Sequence, residues 1–397
     1  MRDTRENQSR HFGTLSVHGG EDRQKYADSI TTPIVQASTY VFSNTSEVIA
    51  YTSGELERFE YGRYGNPTER AAERKLATLE GAEDAYLFAS GMNAETTALL
   101  ALLSKGQHLI MMEDCYKKTT QFCRVMLRKF GVEYTFVKTG DYEQLEDAIQ
   151  ENTRVIFAES PTNPHLYVLD LYRLMDIAKK RGIRVIIDST FATPFNQRPL
   201  EFGVDLAIHS VTKYLAGHND IMGGAVLGAG PLVSAIKDYR GLLGGSIDPH
   251  CAYLLLRGLK TFSVRMERYN ESGMKVAQYL ERHPKVSRVF YPGLESHPHH
   301  SIAVKQMRGF GGVVSFEIDG DLERTFKFIN SLKLPYMAPS LGGVESLVTH
   351  PSTISYYDMS EEERLAIGIT DQLVRYSIGI EDVEDIIEDL EQAFEKI

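Results

Sequence analysis

The chain has 397 residues, 42% hydrophobic and 24% charged, with 32 Gly and 14 Pro, which suits a globular protein with more than one packed region. Its 43 Lys and Arg against 54 Asp and Glu leave a formal charge of −11, which argues against a general nucleic-acid binder, since that function needs a basic face. Cys115, Cys123 and Cys251 are odd in number and lack CxxC spacing, so neither a disulfide framework nor a Cys-rich zinc site is expected.

The first eleven residues are polar and carry both signs of charge, so they offer no apolar signal core. No apolar run approaches the roughly 20 residues of a membrane span. The expectation is a soluble, cytoplasmic protein that meets no membrane. Residues 1–60 lack clear periodicity, are rich in Ser, Thr and Gly, and read as an arm that packs on something else. From Thr68 a helical pattern runs through Glu69, Arg70, Leu76, Leu79 and Glu80 and stops at Gly81, placed like a C-terminal cap. Short apolar runs follow at 108–112, 134–137, 155–158, 185–187, 206–208 and 225–227, alternating with amphipathic segments such as 142–150 and 171–181. This alternation predicts an α/β fold with a mostly parallel sheet covered on both faces.

The pattern changes near Leu254 to Leu259. A long helix is predicted at 261–283, then apolar runs at 286–291 and 312–318, a helix near 322–332 and a last helix from Val383. These read as a smaller α+β domain. The expected organisation is therefore an arm (1–60), a large domain (61–260) and a C-terminal domain (261–397).

In open α/β sheets, ligands sit beyond the carboxyl ends of the strands, so the polar residues that follow each apolar run are the informative ones. Glu159-Ser160-Pro161-Thr162-Asn163-Pro164 follows one run, Asp188 another, and His209-Ser210-Val211-Thr212-Lys213 a third. A carboxylate, an amide and a lysine flanked by hydroxyls thus meet at one sheet edge. Asp188 should be partly desolvated, and a lysine in such a site has its pKa lowered, which suits imine formation with a carbonyl. Taken singly, an Asp at a strand end reads as a helix cap or a metal ligand, and a lysine after Ser-x-Thr as a solvated loop residue. The glycine-rich stretch 217–230 reads as a mobile loop leading into a strand, and it fits neither GxxxxGK[ST] nor GxGxxG. His297, His299 and His300 lie in a Pro-rich turn and read as surface residues rather than a metal site.

Six segments in order resemble the Cys/Met-metabolism family of pyridoxal-phosphate (PLP) enzymes. They are Tyr61-Gly62-Arg63-Tyr64-Gly65-Asn66-Pro67-Thr68, Ala89-Ser90-Gly91-Met92-Asn93-Ala94, Asp188-Ser189-Thr190-Phe191-Ala192-Thr193-Pro194, Ser210-Val211-Thr212-Lys213-Tyr214, Ser340-Leu341-Gly342-Gly343 and Leu373-Val374-Arg375-Tyr376-Ser377. The resemblance implies the aspartate-aminotransferase-like (type I) fold and PLP as cofactor. It implies that Lys213 anchors PLP covalently and then moves protons at the substrate's Cα and Cβ. Asp188 would pair with the pyridine nitrogen, Tyr116 would stack on the ring and serve as the second catalytic candidate for proton transfer, and Ser90, Gly91, Met92, Ser210 and Thr212 would hold the phosphate. Asn163, Ser340 and Arg375 would bind substrate, Arg375 through its α-carboxylate. Tyr61 and Arg63 would reach the phosphate of a neighbouring subunit, implying a homodimer with shared sites and a homotetramer built from two dimers.

The family contains γ-synthases, γ-lyases, β-lyases and sulfhydrylases. Family members usually carry small residues after the stacking tyrosine, whereas Tyr116 is followed by Lys117-Lys118. That basic pair, and Pro339 where several γ-lyases have Glu, resemble the plant-type cystathionine γ-synthases. The expectation is a γ-replacement of an activated homoserine by cysteine, with Lys118 binding the phosphate of O-phosphohomoserine. A γ-lyase, a sulfhydrylase, an enzyme with an unusual nucleophile or leaving group, and a non-catalytic PLP binder are the alternatives. A long transit segment is not evident, so a bacterial cytoplasmic setting is expected.

Overall fold

A computed structural model describes residues 10–397; the part of the expected arm before residue 10 lies outside the described residues. The helix Pro67–Glu80 begins where expected because Asn66 caps it, its Oδ1 accepting from the Thr68 and Glu69 N–H groups, with Pro67 preset in the first turn. It ends at Gly81, whose φ of +77° lets the chain turn away.

Seven strands form the large sheet: β1 (Asp84–Phe88), β2 (His108–Met112), β3 (Glu133–Val137), β4 (Thr153–Glu159), β5 (Arg184–Asp188), β6 (Leu206–His209) and β7 (Gly224–Gly228). Their order is β1-β7-β6-β5-β4-β2-β3. The ladders from β3 to β6 are parallel, while β7 runs antiparallel to both β6 and β1. Helices cover both faces, which is why β2, β4 and β5 read as continuous apolar runs rather than alternating ones. Strand β1 was not among the runs picked out from sequence. Its Asp84-Ala85-Tyr86-Leu87-Phe88 carries a charge and a hydroxyl, yet all but Asp84 are buried.

The second sheet holds β8 (Val286–Phe290), β9 (Val313–Ile318), β10 (Tyr336–Met337), β11 (Leu347–Thr349) and β12 (Leu373–Ser377), in the order β10-β11-β12-β9-β8. The two sheets lie on either side of residue 260, and the helix Phe262–Arg282 packs on β8 and β9 of the second. Its Phe262, Met266, Tyr269, Val276 and Leu280 are fully buried in one apolar cluster that also takes in Leu76, Ala207, Val313 and Phe316. That shared core holds the second sheet against the mouth of the first.

Within the arm, Leu15 is buried and Phe12 meets Phe195 edge-on at 5.1 Å. Further on, Ile30 and Val41 are each 88% exposed, and Thr39 makes one isolated bridge to Tyr61.

The glycine-rich stretch leads into β7, as its apolar 225–227 run predicts, and Gly224 passes so close to Ser90 that an added Cβ would stand 2.2 Å from the Ser90 carbonyl oxygen. One local expectation needs correction: His297 is not a surface residue. It is 3% exposed, with Nε2 3.2 Å from the His165 carbonyl, because the Pro-rich turn folds back under Tyr167 rather than outward. Among the described residues no group of His, Cys, Asp or Glu could hold a metal ion, and no helix is long and apolar enough to cross a membrane.

Candidate active site

Parallel pairing brings the ends of β4, β5 and β6 to one edge: Glu159 is the register partner of Asp188, and Asp188 of Ile208. Lys213 lies in the turn after β6. Its Nζ donates to Ser340 Oγ at 2.7 Å. Burial, and secondarily the Arg375 guanidinium, pulls its pKa down from 10.5 to about 8. Ser340 comes from the second sheet's loop and sits at φ +118°, a strained conformation for a residue with a Cβ.

Arg375, in the middle of β12, is 7% exposed. It donates to Asn163 Oδ1 at 3.0 Å and to the Ser340 carbonyl at 2.8 Å, while its Nε has no partner. Burial pushes the guanidinium down to about 10. Among the described residues no carboxylate pairs with it. A buried guanidinium held only by neutral acceptors is suited to a carboxylate brought by a ligand.

Asp188 is 6% exposed, and its Oδ1 accepts from the Thr190 N–H at 2.9 Å and the Thr190 hydroxyl at 2.6 Å. The same hydroxyl accepts from the Ser210 N–H at 2.8 Å, so Thr190 links Asp188 to the lysine turn. Glu159 is buried and accepts the Tyr116 N–H at 2.8 Å. The Tyr116 ring is 45% exposed and faces open space, its phenol raised by burial and then by Glu95 and Glu159.

The helix Gly91–Leu102 starts beside this edge. Ser90 caps it by accepting the Asn93 N–H at 3.1 Å, which leaves the Gly91 and Met92 N–H groups without partners inside the helix. An anion there meets both free donors and the positive helix end. Gly91 is needed for close approach, since a Cβ would stand 2.9 Å from Ser210 Cβ. Thr212, by contrast, has its hydroxyl engaged with Gly223, accepting its N–H at 2.9 Å.

The remaining expected residues are peripheral. Lys118 is exposed and donates to Gln121 at 3.0 Å, one turn along its own helix. Lys117 instead pairs with Asp358 and donates to the Ser355 carbonyl at 3.1 Å, tying the segment around Tyr356 to the Tyr116 turn. Tyr61 and Arg63 are exposed. Arg63 lies over the Tyr61 and Tyr64 rings and donates to the Gly241 carbonyl at 3.2 Å. A cavity of about 850 Å³ opens beside Ala89, Thr212, Pro339 and Ser340.

Sequence reading did not single out Thr190, although it stood inside a quoted motif, nor Glu95 and Thr119. Glu95 is 3% exposed and accepts the Thr119 hydroxyl. A glutamate on a helix of apolar face reads as solvent-facing, and nothing local marks its burial.

A family model described as Cys/Met metabolism PLP-dependent enzyme matches residues 13–395. The chain belongs to this family. It is 50% identical over 388 residues to cystathionine gamma-synthase 1, chloroplastic, of Arabidopsis thaliana, covering 97% of this chain and 69% of that one. It is 42% identical over 385 residues to cystathionine gamma-lyase of Bacillus subtilis (strain 168), covering 97% and 99%. The crystal structure of metB from Corynebacterium glutamicum superposes with a TM-score of 0.92 at 38% identity, covering 98% and 99%. The fold is therefore the PLP-dependent α/β one, and PLP is the cofactor. The residues present fit it: a lysine of lowered pKa, a buried carboxylate one strand away, an open helix N-terminus and an exposed aromatic ring converge on one cleft.

Proposed function

We propose that this chain is a γ-replacement enzyme of the cystathionine γ-synthase type. It would join cysteine to Cγ of an activated homoserine, O-phosphohomoserine preferred. The C–O bond to the ester group breaks, a C–S bond forms, and the thiol proton leaves. The observation that carries this reading is the basic pair Lys117-Lys118 directly after Tyr116, together with the neutral Pro339 beside Ser340. The 50% identity to a cystathionine gamma-synthase supports it.

When bound, PLP supplies an electron sink for carbanions at the substrate carbons. The chain's own residues do the rest. Arg375 exchanges its neutral partners Asn163 and Ser340 for a forked pair with the α-carboxylate. Lys213 would anchor the cofactor and, once freed, would take the Cα proton and then a Cβ proton, returning them to Cβ and Cα after the thiol has added at Cγ. A value near 8 leaves part of it neutral at working pH. Asp188, aimed by Thr190, would pair with the pyridine nitrogen. The Gly91 and Met92 N–H groups, with the Ser90 and Ser210 hydroxyls, would hold the phosphate. Tyr116 would stack on the cofactor and shield it from water. Lys118 swings from Gln121 to the leaving phosphate, and Tyr61 and Arg63 serve the neighbouring subunit's site in a dimer or tetramer. The cytoplasm is the proposed setting, in keeping with three free cysteines.

The test compares rates for O-phospho-, O-succinyl- and O-acetylhomoserine with cysteine, and 2-oxobutanoate release with cysteine left out. Fastest cystathionine formation from the phosphoester supports the proposal. Faster 2-oxobutanoate release from cystathionine itself would make the chain a γ-lyase instead.

A further inference from the structure

Glu95 is a buried acid beside the active-site edge that this chemistry leaves unused. It stands on the second turn of the helix Gly91–Leu102, 3% exposed, and forms no salt bridge among the described residues. Its Oε2 accepts the Thr119 hydroxyl, and its carboxyl lies within hydrogen-bonding reach of Asp188. Two carboxyl groups in contact are both acceptors when ionised, so a proton must stand between them.

The surroundings decide which acid carries it. Asp188 already receives an N–H and an O–H from Thr190, so its carboxylate is the acceptor already supplied with donors. Glu95 has one donor, and burial, then Asp188, raise it well above the ordinary carboxylate range. The other titratable groups around it, Glu159, Cys115 and Tyr116, are also acids raised by burial and offer no compensating cation.

We propose that Glu95 is a positioning residue, a neutral carboxylic acid whose O–H donates to Asp188 and holds that carboxylate against the cofactor's pyridine nitrogen. This rests on the assignment of Asp188 given above. A third donor makes Asp188 a weaker base, so the shared proton stays on the ring nitrogen, where it strengthens the electron sink. Thr119, three residues beyond the stacking Tyr116, holds Glu95 from the other side.

Two variants separate donation from packing. Glu95→Gln keeps the shape and supplies an N–H donor, whereas Glu95→Met keeps the length and supplies none. The readouts are the PLP dissociation constant, the pyridine ¹⁵N shift of protein loaded with labelled PLP, and the infrared carbonyl band of a protonated carboxyl. The wild type should show such a band, and Glu95→Gln should lose the Glu95 component of it. Glu95→Gln should keep its PLP affinity within about twofold and its ring protonated, while Glu95→Met should bind PLP about tenfold more weakly and show a neutral ring. An identical carboxyl band in the wild type and Glu95→Gln, or a Glu95→Met protein with unchanged affinity and ¹⁵N shift, overturns the proposal. Asp188→Ala keeps the two readings apart. If it retains PLP and ring protonation, the Asp188 assignment is wrong; if it loses both while Glu95→Met does not, only the role of Glu95 is wrong.

Discussion

Lys213 and Ser340 stand 127 positions apart in the chain, yet their Nζ and Oγ are joined by a 2.7 Å hydrogen bond across the cleft between the two sheets. The same serine offers its carbonyl oxygen to Arg375. One residue at φ +118° therefore aims the lysine with its side chain and the arginine with its backbone.

That division of labour predicts a split in kinetics. Ser340→Ala removes the acceptor for Lys213 but keeps the carbonyl for Arg375, so kcat should fall about tenfold, the scale of one hydrogen bond to a charged group, while KM moves little. Steady-state rates check it. A rise in KM at unchanged kcat would assign the hydroxyl to substrate instead.

Lys213 also sets a pH dependence in the cofactor-free protein. Folded, it releases its proton near 8; unfolded, it holds it to about 10.5. Between those values the unfolded chain binds more protons, so stability rises with pH across that window, and below it the cost of the buried charge is felt in full. Lys213→Met should stabilise the cofactor-free protein at pH 7 by on the order of 2 kcal/mol and flatten the rise, as read by thermal melts at pH 7 to 10. The same variant should lose the visible absorbance of bound PLP and all turnover.

The buried histidines act at the other end of the scale. Burial lowers His297 to about 4, with His299, Arg288 and His300 adding to it and the His165 carbonyl opposing. His165 and His299 are lowered too, chiefly by burial. Unfolded imidazoles protonate near 6.5, so the folded state is fully stabilised above that pH and loses stability as pH falls from there to 4. His297 alone accounts for on the order of 3 kcal/mol. Urea midpoints between pH 7 and 4 should fall steeply, and less steeply in His297→Gln.

Lys118 and Lys117 separate under substitution. Lys118 is exposed and held only by Gln121, so Lys118→Ala should raise KM for O-phosphohomoserine about tenfold and leave O-acetylhomoserine unchanged. Lys117→Ala frees Asp358 and the segment around Tyr356, and should weaken both esters alike. Equal effects of Lys118→Ala on both esters would show that it does not read phosphate.

The proposed sharing of sites between subunits predicts complementation. Neither Lys213→Ala nor Arg63→Ala protein should be fully active alone. In mixed dimers that contribute Arg63 and Lys213 from different chains, one site is intact, so unfolding and refolding the two together should restore roughly a quarter of wild-type activity. No recovery would place Arg63 on its own subunit's site or none.

Much of this was legible locally. Apolar runs at 155–158, 185–187 and 206–208 marked strands, since residues buried on both faces of a parallel sheet must all be apolar, and the polar residues after them had to share one edge. The helix end at Gly81 was equally plain, because capping depends on one or two adjacent residues. The strand at Asp84 to Phe88 was harder to see, as its polar side chains disguise its burial. His297 was misread because a turn's composition says how the chain bends and not what it bends against.

The sequence by itself determined the alternation of strands and helices from β2 to β7, the chemistry at the strand ends and the family, all of which depend on neighbours a few residues apart. Only the tertiary structure decided that Ser340 meets Lys213, that Arg375 is buried with no acid paired to it among the described residues, and that Glu95 lies against Asp188. Those contacts join segments far apart in the chain, and they exist because sheet order and one shared apolar core bring the segments together.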